Sequence, residues 1–332
     1  MRILIATGLF PPESGGPATY SKLLLDKLPA LQIEVKVLPF STVRHLPKIV
    51  RHTAYFFTCL RQASGVQIIY AQDPVSVGFP AYLASLLLHK KFMVRLGGDY
   101  AWEQARQRHG IKDELDEFQT RRYGLRTEVL RSVQRFVVRR ARAVVVPSEY
   151  MRRIVGAWTN ASKVHRIYSS INLTPPIEMP ADRPEGFLVL SFGRDVPWKG
   201  FGAIKEVVSR EPSWHVKIFS ELPYPQAMGW LKSADVYVNN STYEGLSHQL
   251  VEAFALGTPV VATDVGGNPE LVTPDTGLLI PAKNTEALYM ALKDIHDNKE
   301  AAQARATRAH ERAKDFSMDK AINEIAGLLK TI

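Results

Sequence analysis

Asn239-Asn240-Ser241-Thr242-Tyr243-Glu244-Gly245-Leu246-Ser247-His248-Gln249-Leu250-Val251-Glu252-Ala253-Phe254-Ala255-Leu256-Gly257-Thr258-Pro259-Val260-Val261-Ala262-Thr263 sets two carboxylates, Glu244 and Glu252, eight positions apart between two apolar strands. Asn240, Ser241 and Thr242 close the first strand and Gly245 permits a tight turn. A helix is predicted from about Ser247 to Leu256, stopped by Gly257 and Pro259. Eight helical steps would separate the carboxylates by roughly 12 Å along the axis, too far to share one proton or one metal ion. The spacing suits two separate contacts on a long, hydroxyl-rich ligand whose anionic middle faces the N–H groups of the helix start.

A nucleotide sugar has that layout, with sugar, pyrophosphate and ribose in a row. Here the sequence resembles a known family. The segment is similar to the Glu-x7-Glu signature of retaining glycosyltransferases of the GT-B fold (the glycosyltransferase family 4-like, group 1 enzymes), and Asp264-Val265-Gly266-Gly267-Asn268-Pro269-Glu270-Leu271-Val272 continues the likeness. The resemblance implies an α/β protein of two Rossmann-like, doubly wound parallel-sheet domains facing a central cleft. It implies transfer of a hexose from a nucleotide-diphosphate sugar to a hydroxyl acceptor. Glu244 would sit by the sugar, Glu252 would accept from ribose hydroxyls, and Gly245, Leu246 and Ser247 would offer backbone contacts to sugar or phosphate. No cofactor and no divalent metal is implied. No general base is assigned, since in this family the departing phosphate is available to take the acceptor proton.

Two loops supply candidate phosphate contacts. In Phe192-Gly193-Arg194-Asp195-Val196-Pro197-Trp198-Lys199-Gly200, Arg194 and Lys199 stand at the carboxyl end of a strand, a natural clamp for pyrophosphate. The family places Arg and Lys in such a loop against the donor phosphates, and the charge would stabilise the leaving diphosphate. Near the start, Phe10-Pro11-Pro12-Glu13-Ser14-Gly15-Gly16-Pro17 opens a helix. Gly15 and Gly16 permit close backbone approach there, and the resemblance makes them donor-phosphate or acceptor-side contacts.

The chain also departs from its relatives. In Arg95-Leu96-Gly97-Gly98-Asp99-Tyr100-Ala101-Trp102-Glu103, glycines occupy the place of a histidine that in many of them approaches the transferred sugar. Asp99 is the catalytic candidate left there, open between contact with sugar or acceptor and capping the next segment; Glu103 is a weaker one. Serines at Ser169-Ser170 replace an Asn-Gly turn in the interdomain strand. A helix and strand usual in the family are missing around 220–229, where relatives often hold the nucleobase. Two readings from other classes stand beside transfer. One is a GT-B-fold nucleotide-sugar epimerase, which typically lacks this Glu-x7-Glu context; the other is a non-catalytic nucleotide-sugar or carbohydrate-binding protein.

With 332 residues the chain suits two domains. Strands are predicted at 3–6, 34–38, 66–70, 92–96 and 143–146, then at 187–191, 215–219, 235–239, 259–263 and 277–280. Residues 1–172 would form the acceptor-side domain, the proline-rich 173–184 a linker, and 185–314 the nucleotide-sugar domain. The resemblance has the final segment, 315–332, crossing back to the first domain. No apolar run approaches the ~20 residues needed to span a bilayer, and the first residues read as a strand and not a signal peptide. One cysteine, Cys59, excludes an internal disulfide and fits a reducing cytoplasm.

Charge is uneven: residues 1–182 carry +12 and the remainder −3, within a total of +9. The run 121–142 spaces Leu125, Val129, Val133, Phe136 and Val137 among eight arginines, predicting a helix with an apolar stripe and a basic face. A second segment, 43–61, mixes Arg44, Lys48, Arg51 and Arg61 with Ile49, Tyr55, Phe56 and Phe57. The reading is an anionic membrane surface on the cytoplasmic side and a lipid-linked or cell-envelope glycan as acceptor. The alternative is that these arginines make internal ion pairs. No zinc spacing, Walker loop or aromatic-rich RNA motif supports nucleic acid as a partner.

Overall fold

A computed structural model of the chain describes residues 1–13 and 15–332, and among these every side chain except that of Ile49. Ser14, in the glycine loop, and the side chain of Ile49, in the basic segment, therefore lie outside the described residues. The chain forms two compact units, Met1–Ile167 with Ile322–Ile332, and Tyr168–Ala321.

The first unit is built on strands β1 (Arg2–Thr7), β2 (Glu34–Pro39), β3 (Ile68–Ala71), β4 (Lys91–Arg95), β5 (Ala143–Val146) and β6 (Val164–Arg166). They pair in parallel in the order β2-β1-β3-β4-β5-β6. The second unit has β7 (Phe187–Phe192), β8 (Trp214–Phe219), β9 (Val236–Asn239), β10 (Val260–Thr263) and β11 (Leu278–Ile280), in the order β11-β10-β9-β7-β8, again parallel. Helices cover both faces, so the central strands read as unbroken apolar runs: every residue of β3, β5 and β10 is buried. These are the two parallel α/β units expected from the sequence, each predicted strand lying within two residues of its observed span.

Side-chain alternation divides the core of the second unit. Leu188, Leu190 and Tyr237 pack with helix His248–Leu256 on one face; Phe187, Val189, Val236 and Val238 pack with helices Phe201–Val208 and Thr285–Asp297 on the other. A one-residue slip in either strand would exchange the two faces. The proline-rich stretch 173–184 lies along this unit. Glu178 N–H donates to the Pro225 carbonyl at 3.0 Å, and Arg183 pairs with Asp235 at 2.8 Å. Helix Met318–Thr331 runs across the boundary at 321/322, its later turns belonging to the first unit. Among the described residues no helix is long and apolar enough to cross a membrane.

Candidate functional site

Strand order in the second unit creates one topological switch. From β7 the chain moves outward to β8; it then returns to β9 on the other side of β7 and continues to β10 and β11. The loops leaving β7 and β9 therefore diverge, and the crevice at their carboxyl ends is where parallel α/β units take ligands. Lys199, Glu244 and the start of helix His248–Leu256 are on those two loops.

Three glycines bring the loops together. Gly200 (φ 65) lies so close to Asn240 that a Cβ would stand 2.5 Å from the Asn240 carbonyl oxygen. Around it Asn240 Nδ2 donates to Gly200 O at 3.1 Å, and Thr242 N–H donates to Trp198 O at 2.8 Å. From the loop after β10, Gly266 (φ 55) and Gly267 press on the backbone of Glu244 and Gly245; Cβ atoms there would stand 1.9 and 2.4 Å from the two carbonyl oxygens. Gly267 N–H donates to Glu244 O at 3.0 Å. Only residues without a Cβ let three loops meet at this distance.

Within this frame Glu244 Oε1 accepts from Lys199 Nζ at 2.6 Å, Ser241 Oγ at 2.8 Å and Asn239 Nδ2 at 3.3 Å. The two charged side chains are 18% (Lys199) and 14% (Glu244) exposed, so the pair is sheltered yet reachable. Gly193 (φ 145) leaves room for the lysine stem, whose Cε would lie 3.1 Å from an added Cβ. Asn239 also donates to Ser247 Oγ at 3.0 Å, and Ser247 caps the helix at Leu250 N–H. Gly245, Leu246 and Ser247 thus form the approach to the helix start, as the spacing predicts.

Glu252 lies one helical turn beyond that start. It is half-buried, and burial pushes its carboxyl up to about 7, offset in part by a hydrogen bond with Tyr224. Tyr224 opens helix Tyr224–Ser233, which follows β8 after only a short turn, and it is partly exposed. Sequence reading missed it, because the segment was recognisable only as a place where the family pattern lapses. Arg194 is exposed on the loop after β7 and makes no ion pair among the described residues.

The remaining candidates lie in the first unit. Gly15 (φ 136) caps helix Gly16–Lys27, accepting from Ala18 and Thr19 N–H, and Gly16 faces open space. Asp99 is 1% exposed and caps helix Tyr100–Arg108, the second of the two roles left open for it in the sequence. Its Oδ1 accepts from Trp102 N–H and Gln134 Nε2, both at 3.0 Å, and its Oδ2 from Gln119 Nε2 at 2.9 Å. These three internal donors tie the carboxylate to the helix start. Glu103 sits in the first turn of the same helix. At the carboxyl ends of β1, β3 and β4 the structure instead gathers Gly8, Asp73 and Arg95. Burial pushes the Asp73 carboxyl up to about 6 despite backbone N–H donors from Val75 and Ser76, and its Oδ2 lies 3.4 Å from where a Gly8 Cβ would be. Arg95 is buried over the Tyr20 ring at 4.1 Å. Asp73 follows a buried strand in an ordinary Asp-Pro turn, which carries no signal by itself.

Among the described residues no group of three or more His, Cys, Asp or Glu side chains gathers as a metal site.

Two parallel α/β units, the second with a cation–carboxylate pair at its switch point, are the parts that the resemblance to GT-B glycosyltransferases implies. Comparison with known proteins takes this further. The family model of the glycosyl transferase 4-like domain matches residues 10–168, and that of glycosyl transferases group 1 matches 203–312. The chain belongs to the glycosyltransferases that these two domains make up. It is 34% identical over 107 residues to the lipopolysaccharide core biosynthesis mannosyltransferase LpsB of Rhizobium meliloti, covering 31% of this chain and 30% of that protein. It is 33% identical over 116 residues to a GDP-mannose-dependent monoacylated alpha-(1-6)-phosphatidylinositol monomannoside mannosyltransferase of Corynebacterium glutamicum, covering 32% and 30%. The chain thus spans about 30% of the length of either curated relative. In fold it is similar to Anabaena HepE, solved in complex with UDP-glucose: TM-score 0.79 over 100% of both chains at 17% identity.

Proposed function

We propose that the chain is a retaining hexosyltransferase that uses a nucleotide-diphosphate sugar and passes the sugar to a hydroxyl of a lipid-linked or cell-envelope glycan. The observation that carries this reading is the Lys199–Glu244 pair at the switch point of the second unit. It sets a fixed ammonium beside a helix start, where a diphosphate gains both a counter-charge and N–H donors. The names of the curated relatives, which act in lipopolysaccharide and phosphatidylinositol-mannoside synthesis, support the acceptor class.

In this reading the donor diphosphate accepts from Lys199 and from Arg194, which swings in from the exposed loop. Glu252, one turn along, accepts from the ribose hydroxyls. Glu244 orients Lys199 and faces the sugar. The bond from the anomeric carbon to the diphosphate oxygen breaks, and the electron pair leaves with the diphosphate, whose charge the two cations stabilise. The acceptor hydroxyl forms the new bond on the same face and its proton passes to the departing diphosphate. Arg194 and Lys199 supply the charge that a divalent ion supplies elsewhere, so the reaction proceeds without one. The test is a thermal-shift panel of UDP- and GDP-sugars, then turnover of the stabilising donor with extracted envelope lipids and NMR of the product anomer. A donor that binds but is neither transferred nor altered would leave a binding protein; an altered free sugar nucleotide would mean epimerisation.

A further inference from the structure

Within the first unit, helices Leu115–Thr120, Leu125–Arg140 and Glu149–Gly156 border a cavity of about 320 Å³. It is separate from the groups gathered at the carboxyl ends of the strands. Two of its lining residues, Arg139 and Trp158, come just before β5 starts at Ala143 and β6 at Val164, so the cavity lies by the amino ends of these strands. Its volume is at the small end of the range for small-molecule sites, roughly 300–1,000 Å³.

The charge in it is unbalanced. Ile154, Ala157 and Trp158 supply apolar lining, while Arg135, Arg139 and Arg153 bring three guanidinium groups against one carboxylate, Asp116. Asp116 is already engaged: Oδ1 accepts from Arg153 Nη2 and Oδ2 from the Tyr150 hydroxyl, both at 3.0 Å. Glu128, on the same helix as Arg135, pairs with Arg131 at 2.8 Å. Among the described residues Arg135 and Arg139 make no ion pair. Arg131, Arg135 and Arg139 follow one another at steps of four along the helix, so they share a stripe on which like charges repel.

The surrounding hydrogen bonds leave Arg135 poorly satisfied. It is half-buried, its guanidinium 5.7 Å from the centre of the Trp158 ring. Its Nη2 reaches Gln119 Oε1 at 3.4 Å, but that oxygen already accepts from Trp158 Nε1 at 3.0 Å. Gln119 is held in this orientation because its Nε2 donates to Asp99 at 2.9 Å. Arg139 Nε donates to the Trp158 carbonyl at 2.8 Å, which fixes the second guanidinium beside the first. Burial, and after it the Arg131 guanidinium, push the Arg135 pKa down, as expected of a cation without a counter-charge.

We propose that this cavity binds a small phosphorylated molecule, its phosphate between Arg135 and Arg139 and its carbon skeleton against Trp158 and Ile154. Three guanidinium groups less one carboxylate leave two positive charges to be met. A phosphate monoester carries about −1.5 to −2 near neutral pH and offers three acceptor oxygens to guanidinium forks. A monocarboxylate would leave one charge open. The site is independent of the transfer reaction, since Lys199, Glu244 and Glu252 belong to the other unit.

The test is fluorine NMR of the full chain labelled with 5-fluorotryptophan, titrated with glycerol 3-phosphate, inorganic phosphate or acetate at an ionic strength held constant with sodium chloride. The chain has five tryptophans. Trp158→Phe identifies the signal of the cavity, and Trp198→Phe that of the loop carrying Lys199. The Trp158 signal is expected to move saturably with glycerol 3-phosphate and inorganic phosphate, and to ignore acetate. Arg135→Ala should weaken this binding roughly tenfold or more. Arg135→Lys, which keeps the charge and loses the fork, should weaken it by a smaller factor. Lys199→Ala should leave it unchanged, and unchanged melting temperatures check that the variants fold. A Trp158 signal that stays still while Trp198 responds, or Arg135→Ala that binds as wild type does, would overturn the proposal. Acetate that binds as tightly as phosphate would also overturn it, assigning the cavity to a carboxylate.

Discussion

Lys199 Nζ stands 2.6 Å from Glu244 Oε1, a contact between residues 45 apart in the chain, on loops whose strands are neighbours in the sheet. With no donor bound, each charge is the other's main partner. Removing one leaves the other sheltered and uncompensated, whereas a bound diphosphate supplies the lysine with a second anion. We therefore expect Lys199→Ala and Glu244→Gln to be non-additive in stability, with a coupling of about 1–3 kcal/mol in a double-mutant cycle followed by urea denaturation. Additive effects would mean that the pair is not formed in solution.

Glu252 gives the fold a pH dependence of known sign. Its folded-state value of about 7 lies above the usual 4.5, so its contribution is fully present below 4.5 and is lost as pH rises through about 7. Partial exposure limits the effect to on the order of 1–2 kcal/mol. Asp73, raised to about 6, falls in the same window, so the comparison of wild type with Glu252→Gln isolates Glu252. The melting temperature of wild type should decline more steeply between pH 5 and 8 than that of Glu252→Gln. Parallel curves would remove Glu252 as the cause.

The glycines of the site differ sharply in what they tolerate. Gly266→Ala would drive a methyl onto the Glu244 carbonyl from a positive-φ residue, so a loss of about 2–4 kcal/mol is expected, or a displaced loop that no longer binds the donor. Gly202 has no atom within 4 Å of an added Cβ and lies in helix Phe201–Val208. There Gly202→Ala should stabilise by roughly 0.5–1 kcal/mol and leave donor binding unchanged. Chemical denaturation of both variants measures the contrast directly.

Asp99 separates a structural role from a catalytic one. Asp99→Ala removes a cap and leaves Gln119 and Gln134 without their acceptor, so about 1–3 kcal/mol of stability should be lost. Turnover per folded molecule should stay near wild type. A large fall in kcat with an unchanged melting temperature would restore a catalytic role.

The architecture was readable because parallel strands covered on both faces are short apolar runs between turn signals, and β7, β9 and β10 are such runs. β6 was not: three residues, two of them His165 and Arg166, make no run at all. The positions of Lys199 and Glu244 followed from strand ends and glycines, but their pairing depends on loop conformations that no local pattern encodes. Asp99 looked equally suited to two roles until its partners Gln119 and Gln134 came in from other helices. The arginine-rich helix had the right period and keeps most of its arginines exposed, but Leu125 and Val129 of its apolar stripe are exposed as well, while Arg131 is buried. An arginine can bury its stem and spend its guanidinium on carbonyls, as Arg131 does, so a single member of a basic run can belong to the core. Tyr224 shows the reverse case, a site neighbour carried by a segment where family likeness fades.

The central claim is that the second unit holds a nucleoside diphosphate through Lys199 and the ribose through Glu252. The direct measurement is calorimetric titration of wild type, Lys199→Ala and Glu252→Ala with UDP and GDP in EDTA. One of the two nucleotides should bind wild type without added metal, and each substitution should weaken it by about 1.5–3 kcal/mol, roughly tenfold or more in Kd. Equal affinity in all three proteins, or binding by wild type only after magnesium or manganese is restored, would contradict the account.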